Sequence, residues 1–189
     1  MTSEGDGFDS LAGRLLVSPP NLADPNFTRT VVLMLIHNPD GALGLILNRA
    51  SQTAVADLVP QWAPAAAYPG VVHGGGPVEP QAAIALGRFD LTVAPDGWSP
   101  VFGDLGTVDL HRDPDDVIGI QQLRVFAGYS GWGAGQLEGE LTMGGWITVD
   151  AEPGDAFDAD PATLWERVIR RQRGTVALLA MSPDDLGDN

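Results

Sequence analysis

The chain has 189 residues, a hydrophobic fraction of 44% and no cysteine. This length is enough for one domain with a full-sized core, and the lack of cysteine excludes a disulfide framework and thiol chemistry. Because 25 acidic residues stand against 10 basic ones, the net charge is −15, which disfavours nucleic acid and anionic membranes as partners. The longest apolar run, Val31–Ile36, is too short to span a bilayer, and residues 1–10 do not resemble a secretory signal, so we expect a cytoplasmic protein.

The first half of the chain predicts a β-hairpin. Two apolar runs, Val31–His37 and Ala42–Leu47, flank Asn38–Gly41, whose Pro, Asp and Gly are typical of a reverse turn. Arg14–Val17 predicts a short strand before the hairpin, and the polar residues 1–12 predict a flexible N-terminal arm. The density of Val, Leu and Ile makes the hairpin the expected centre of the core.

The segment Gly128–Glu138 is the most unusual stretch of the second half. It combines four glycines with two aromatic residues and a Gln/Glu pair. Such glycine density is typical of a tight turn whose backbone passes close to another group. Leu137 and Leu141 are four residues apart, which predicts a short helix over Gln136–Leu141.

The C-terminal part predicts a helix followed by a strand. Asp160 is typical of a helix start and Gly174 of a helix end. The apolar run Thr175–Met181 predicts a last strand. Because no repeat or linker divides the chain, we expect one domain over residues 13–182 and a tail at 183–189.

Two patterns suggest a catalytic or phosphate site, and both are incomplete. Ser130 lies in a strand–turn–helix outline, but a nucleophile elbow requires glycine where this chain has Trp132. The sequence His73–Gly76 is glycine-rich, but no Walker lysine follows it. Both are more typical of close backbone turns, and we predict no cofactor.

Charged residues form no clear metal or catalytic pattern. The three histidines are far apart in sequence, and the acidic stretch Asp150–Asp160 lacks calcium-loop spacing and predicts a solvated loop. Glu138 and Glu140 would point in different directions on a helix, which is typical of solvated charges rather than a paired acid and base. Arginines cluster from Arg167 to Arg173, where dipole capping and surface ion pairs are favoured over nucleic-acid contact.

Four segments, in this order and spacing, resemble the YqgE/AlgH family of small bacterial proteins. The resemblance extends from about Gly13 to Thr175. The four segments are Asp24–Val32, His37 with Gly41–Arg49, Gly75–Val78, and Gly128–Glu138 with Glu140.

The resemblance implies a fold and a set of candidate positions. The implied fold is a single α+β domain with a mixed, bifurcated and partly barrel-like β-sheet surrounded by helices. No enzymatic activity is established for the family; some members are labelled transcriptional regulators, yet this sequence shows no DNA-reading element. The motif positions form a candidate functional surface: Asp24, Phe27, Arg29, His37, Asn48, Gly75, Gly76, Tyr129, Trp132, Gln136 and Glu138.

Two functions remain open on this evidence. The first is a regulatory protein that binds another protein through the glycine-rich aromatic segment. The alternative is a small-molecule-binding protein or an enzyme that uses a cleft between the turns Asp24–Thr30 and Gly128–Glu138. The alternative requires a pocket of about 300 Å³ or more at that place.

Overall fold

A single long strand connects the two halves of the sheet. The computed structural model of the protein describes residues 8–178. Within them the sheet has ten strands. The strands are β1 Arg14–Val17, β2 Val31–Asn38, β3 Gly41–Ile46, β4 Ala50–Ala54, β5 Val71–Gly74, β6 Val78–Phe89, β7 Trp98–Phe102, β8 Leu105–Val108, β9 Ile120–Gly133 and β10 Ile147–Asp150.

The sheet divides along β9. The main path runs β10-β1-β2-β3-β9-β6-β8-β7, while β5 pairs with β9 and carries β4 on its other side. The C-terminal end of β9 pairs antiparallel with β3, whereas Phe126 and Ala127 pair in parallel with β5. The expected single-domain α+β fold with a mixed, bifurcated sheet is therefore confirmed.

The predicted hairpin lies in the core. Strands β2 and β3 pair antiparallel across residues 38–41, as the turn signal predicted. Val31, Leu33 and Leu45 are buried in the largest apolar cluster, together with four residues of helix α3. Alternation of side chains along each strand directs these residues to one face, where the helix covers them.

The helices are short. They are α1 Val55–Leu58, α2 Gln136–Thr142, α3 Leu164–Arg170 and α4 Thr175–Leu178. The predicted helices at Gln136 and after Asp160 are present, the second beginning as a 3₁₀ turn at Pro161. The predicted strand at Thr175–Met181 is wrong within the described residues. Gly174 takes a φ of 68° that ends α3 and lets the chain begin another helix; residues 179–181 and the tail 183–189 lie outside the described residues.

The prediction of a turn over the whole of Gly128–Glu138 is also wrong. Gly128–Gly133 continues strand β9, and only residues 134–135 turn before α2 begins. Burial alternates along this part of β9, so Ser130 and Trp132 are buried while Gly131 and Gly133 are exposed. Gly128 lies at a close strand crossing, where a Cβ atom would collide with the carbonyl oxygens of Gly76 and Val78.

The described part of the N-terminal arm is packed. Leu11 is buried in a cluster with Trp132 and Trp146, and the Ser10 hydroxyl donates to the carbonyl of His37. Residues 8–12 thus contact the rest of the domain, whereas a flexible arm was predicted for residues 1–12. Residues 1–7 lie outside the described residues. No helix in the described range 8–178 combines the length and the apolar character needed to cross a membrane.

Candidate functional site

The segments Asp24–Thr30 and Gly128–Glu138 meet through their aromatic side chains. The ring centroid of Phe27 lies 6.4 Å from that of Trp132 and 5.3 Å from that of Trp146. Trp132 and Trp146 are 6.0 Å apart in an edge-to-face arrangement. We call these three residues the aromatic cluster. Sequence reasoning placed Trp132 and Phe27 here but did not select Trp146.

Glu140 connects both indole groups of the aromatic cluster. Its Oε2 accepts hydrogen bonds from Nε1 of Trp132 at 2.9 Å and from Nε1 of Trp146 at 2.8 Å. Its Oε1 accepts from Nε2 of Gln136 at 3.0 Å, and Gln136 accepts in turn from the backbone N–H of Gly133. Hydrogen bonds to a carboxylate are stronger than neutral ones, so this network holds α2 firmly against β9.

His37 and Glu138 form a second contact beside the cluster, between a buried imidazole and a half-exposed carboxylate. Nδ1 of His37 accepts from the backbone N–H of Leu11 at 3.0 Å, which leaves the proton on Nε2. Nε2 then donates to Oε1 of Glu138 at 2.9 Å. The pKa of Glu138 is lowered, first by a hydrogen bond from its own backbone N–H and then by His37.

The interpretation of Glu138 and Glu140 as solvated charges is therefore incomplete, because both also accept from buried side chains although Glu138 is 43% exposed. The two carboxylates do point in different directions, as the two-residue spacing predicted, but each meets a buried donor. Indole and imidazole N–H groups need acceptors when they leave water, and these glutamates supply them.

Arg29 and Asn48 belong to a different contact region. The guanidinium carbon of Arg29 lies 4.6 Å from the ring centroid of Trp165 on α3. Nδ2 of Asn48 donates to the carbonyl of Arg29, and its Oδ1 accepts from the N–H of Val31. Asp24 closes the Asp24–Thr30 turn by accepting from the N–H of Asn26. These side chains shape the turn and do not join the aromatic cluster.

Gly75 and Gly76 allow two backbones to cross at close range. A Cβ atom at Gly75 would collide with the carbonyl oxygen of Gly128, and one at Gly76 with the backbone of Tyr129 and Ser130. The N–H groups of Gly74 and Gly75 already donate to backbone carbonyls of Arg49 and Ala127. They are not available to cradle a phosphate, so the incomplete phosphate pattern is explained by strand crossing.

Ser130 is not placed as a nucleophile. It is fully buried, and its hydroxyl donates to the carbonyl of Gly75 at 3.2 Å. A catalytic serine must be accessible to substrate and must contact a base. Ser130 is buried, and its hydroxyl contacts no base among the described residues.

A small pocket lies where three of the four motif segments meet. Its volume is about 230 Å³, and the fourth segment passes directly beneath it at Gly76. We call it the motif pocket. It is lined by Pro25, Asn26, Ile46, Arg49, Gly74, Gly76 and Pro77.

Arg49 gives the motif pocket its charge. It is exposed, and its Nη2 donates to the carbonyl of Thr28 at 2.9 Å. In residues 8–178 it forms no ion pair with a carboxylate, in contrast to Arg14, Arg88 and Arg171. Sequence reasoning did not select Arg49 as a candidate surface residue, although it is the last residue of the second family segment.

A buried basic pair lies below the pocket. His73 and Arg124 are 0% and 1% exposed, and Arg124 donates to the backbone carbonyls of Tyr68, Ala156 and Asp158. Burial, followed by the charge of Arg124, lowers the pKa of His73 from 6.5 to about 4. Burial also lowers the pKa of Arg124 to about 10. His73 is therefore neutral and packs tightly beneath the strand crossing.

The acidic stretch Asp150–Asp160 is only partly the solvated loop that was predicted. Asp155 is 6% exposed and accepts two hydrogen bonds from Arg171, at 2.6 and 2.7 Å. Arg170 pairs with Glu166, so the arginines of α3 form the predicted ion pairs. Across the described range, no group of three or more His, Asp or Glu side chains is arranged to hold a metal ion.

Comparison with known proteins identifies one family. The model of the AlgH-like family, DUF179, matches residues 15–177. A UPF0301 protein of Streptomyces coelicolor is 49% identical over 93% of this chain and 94% of its own length. A UPF0301 protein of Thermobifida fusca is 44% identical over 93% of this chain and 94% of its own length.

Two solved structures share the fold. The crystal structure of a protein from Corynebacterium diphtheriae superposes with a TM-score of 0.86 at 28% identity, covering 93% of this chain and 94% of that one. The solution structure of the AlgH protein from Pseudomonas aeruginosa has a TM-score of 0.66 at 29% identity, covering 97% of this chain and 98% of that one.

Proposed function

The chain belongs to the AlgH-like family, and we propose that it is a regulatory protein-binding module whose recognition surface is the motif pocket and its rim. The observation that carries the proposal is the contrast in hydrogen bonding at this place. The polar groups of the aromatic cluster are bonded to one another, whereas Arg49 presents most of its donors outward beside Asn26. Arginine is among the residues that most often anchor protein interfaces.

The size of the motif pocket favours a protein over a small molecule. At about 230 Å³ it is smaller than the roughly 300–1,000 Å³ of ordinary ligand sites. It accommodates one side chain or a chain terminus of a partner. The donors of Arg49 match an accepting oxygen, either a carboxylate or a backbone carbonyl.

The enzyme alternative lacks support at the motif segments. His37 and Glu138 bond to each other, and Ser130 is buried. These candidate acids and bases thus have their hydrogen-bond partners within the protein. Direct duplex binding is disfavoured by the net charge of −15.

The test compares three tagged forms of the chain: wild type, Arg49→Gln and Arg173→Gln. Arg173 is exposed just after α3 and outside the motif pocket, which makes it a matched control for loss of one positive charge. Each form is incubated with the macromolecular fraction of the native cytoplasm. We expect one protein at near-equal stoichiometry on wild type and Arg173→Gln, and at least about tenfold less on Arg49→Gln, as for a hot-spot arginine.

Two results would oppose the proposal. Equal retention of the partner protein by all three forms would show that the motif pocket does not contribute to recognition. If the dialysable low-mass fraction raised the Tm of wild type but not of Arg49→Gln, and no protein was retained, the pocket would be a small-molecule site instead.

A further inference from the structure

A second cavity lies away from the motif pocket, beside an unpaired stretch of β6. It measures about 550 Å³. One wall is formed by residues 81–85 of β6, one by residues 108–111 after β8, and one by residues 58, 59 and 61 of α1 and the following 3₁₀ turn. We call it the edge groove.

The edge groove exists because β8 leaves β6 early. The two strands pair from Ala85 opposite Val108 to Arg88 opposite Leu105. If the register continued, residues 109–111 would lie opposite residues 82–84. Instead Asp109 accepts from the N–H of His111 at 2.9 Å, and the chain turns away from the sheet. Within the described range, Ala83 and Ile84 therefore have a strand partner only on the β9 side, and residues 81 and 82 have no strand partner on either side.

An unpaired strand edge is a template for another strand. It presents backbone N–H and C=O groups that bind an extended peptide in register. Gln81 and Ala83 are exposed, so the edge is accessible to a partner. The remaining N-terminal part of β6 is irregular, with a register shift between Val78 and Ala83, which limits the usable edge to a short stretch.

The walls of the edge groove are mainly apolar. Leu58 is 48% exposed, although it is a large hydrophobic residue. Ile84 and Leu110 are half-buried along the groove, and Val108 is buried at its base. Alternate side chains of an added strand would point towards these residues, which provides specificity for apolar side chains at every second position.

The rim of the edge groove is acidic. Asp109 lines the groove, and a neighbouring cavity of about 420 Å³ that shares Gln61 and His111 is lined by Asp113 and Asp115. The one arginine there, Arg112, lies 3.8 Å from Asp96. This charge is complementary to a basic partner and agrees in sign with the net charge of the whole chain.

We propose that the edge groove docks an extended, basic-flanked segment of a partner protein, which adds to the β6 edge at residues 81–84 as an extra strand. The interaction is separate from the motif pocket and does not depend on Arg49. Backbone hydrogen bonds provide the register, the apolar walls select the side chains, and the acidic rim selects flanking Lys or Arg.

The experiment uses three capped synthetic heptapeptides and the full chain labelled with ¹⁵N. The first peptide alternates Val and Thr with Lys at both ends, the second has Glu at both ends, and the third is the Lys peptide with alternate backbone amides N-methylated. We expect the Lys peptide to bind and to shift the amide resonances of residues 58, 59, 61, 81–84 and 108–111. The Glu and N-methylated peptides should bind at least about tenfold more weakly.

Matched variants localise the binding. Leu58→Ser should weaken the Lys peptide about tenfold, whereas Leu91→Ser should not change its affinity, because Leu91 is similarly exposed at 54% but lies outside the groove. Equal affinity for the Lys and N-methylated peptides, or shifts centred elsewhere, would overturn strand addition. Concentration-dependent changes of residues 81–84 without peptide would assign the edge to a second copy of this chain and would also overturn the proposal.

Discussion

The aromatic cluster and the motif pocket meet at the Asp24–Val32 segment but use their polar groups in opposite ways. In the aromatic cluster, Glu140 accepts from both tryptophans and from Gln136, so hydrogen bonds close the network. In the motif pocket, Arg49 has one bond to a backbone carbonyl and no ion pair within residues 8–178. The difference separates residues that maintain the fold from a residue that is available to a partner, although the sequence motifs include both.

The largest expected effect concerns the strand crossing that forms the floor of the motif pocket. Gly76 has a φ of 155°, and a Cβ there would collide with the backbone of Tyr129 and Ser130. Because neither backbone can move without disrupting β9, Gly76→Ala should lower the free energy of unfolding by about 3 kcal/mol or more. Urea denaturation measures this loss.

Gly139→Ala is the control for that substitution. Gly139 lies in α2 with nothing within 4 Å of an added Cβ, so alanine should stabilise the protein by about 0.5–1 kcal/mol. If Gly76→Ala were as stable as wild type, the floor of the motif pocket would not be rigid. The motif pocket could then not be compared with the aromatic cluster as a fixed arrangement of groups.

The next effect is a pH dependence from His73. Its pKa is about 4 in the folded protein against an ordinary 6.5, so the unfolded chain binds a proton over a range in which the folded chain does not. Stability is therefore fully present above about pH 6.5 and falls as the pH drops towards 4. The expected loss is about 2 kcal/mol between roughly pH 7.5 and 4.5. Urea denaturation at successive pH values measures it.

His73→Gln removes the titrating group and should flatten this slope, whatever its effect on absolute stability. His111→Gln, at an exposed position, should leave the slope as in wild type. If the pH dependence of the free energy of unfolding persisted in His73→Gln, another group would be its cause. Stability would then not be linked to the protonation of His73.

Glu140→Gln tests the closed network of the aromatic cluster. Glutamine removes the charge and accepts through only one oxygen, so its amide nitrogen must face either the two indole N–H groups or Nε2 of Gln136, and donors are left without an acceptor. We expect a loss of about 2 kcal/mol in the free energy of unfolding and a change in the near-ultraviolet circular dichroism of the tryptophans. Glu166→Gln, which breaks the exposed pair with Arg170 at 3.3 Å, should cost less than about 1 kcal/mol. Equal losses in the two variants would contradict a structural role for Glu140.

The sequence predicted the elements whose signals are local. The β2–β3 hairpin has two apolar runs around a turn, and α2 has leucines four residues apart, so both were predicted correctly. The stretch Gly128–Gly133 was misinterpreted because glycine density indicates a turn locally. Gly128 is instead at the place where Gly75 and Gly76 cross β9, a contact between distant parts of the chain. The segment Thr175–Leu178 is too short for the spacing of its apolar residues to distinguish a helix from a strand.

The contact between the Asp24–Thr30 and Gly128–Glu138 segments was predictable, but the details of the candidate site were not. Phe27 and Trp132 meet as the motifs suggested. The partners of Glu140 and the unpaired state of Arg49 could not be predicted, because hydrogen-bond satisfaction is a property of the folded arrangement and not of residue type. The edge groove was missed for the same reason: a missing strand partner leaves no sign in the sequence.

The smallest expected effect on stability is that of Arg49→Gln, and it is the most informative for function. The substitution removes one exposed hydrogen bond to the carbonyl of Thr28, so the free energy of unfolding should change by no more than about 0.5 kcal/mol. Chemical denaturation beside Glu140→Gln under the same conditions provides the comparison. If Arg49→Gln cost about 2 kcal/mol, Arg49 would be a structural residue like Glu140, and any loss of partner retention would reflect a damaged fold. If stability is unchanged while retention falls, the two regions differ in function, because only the motif pocket then has polar groups that the fold itself does not require.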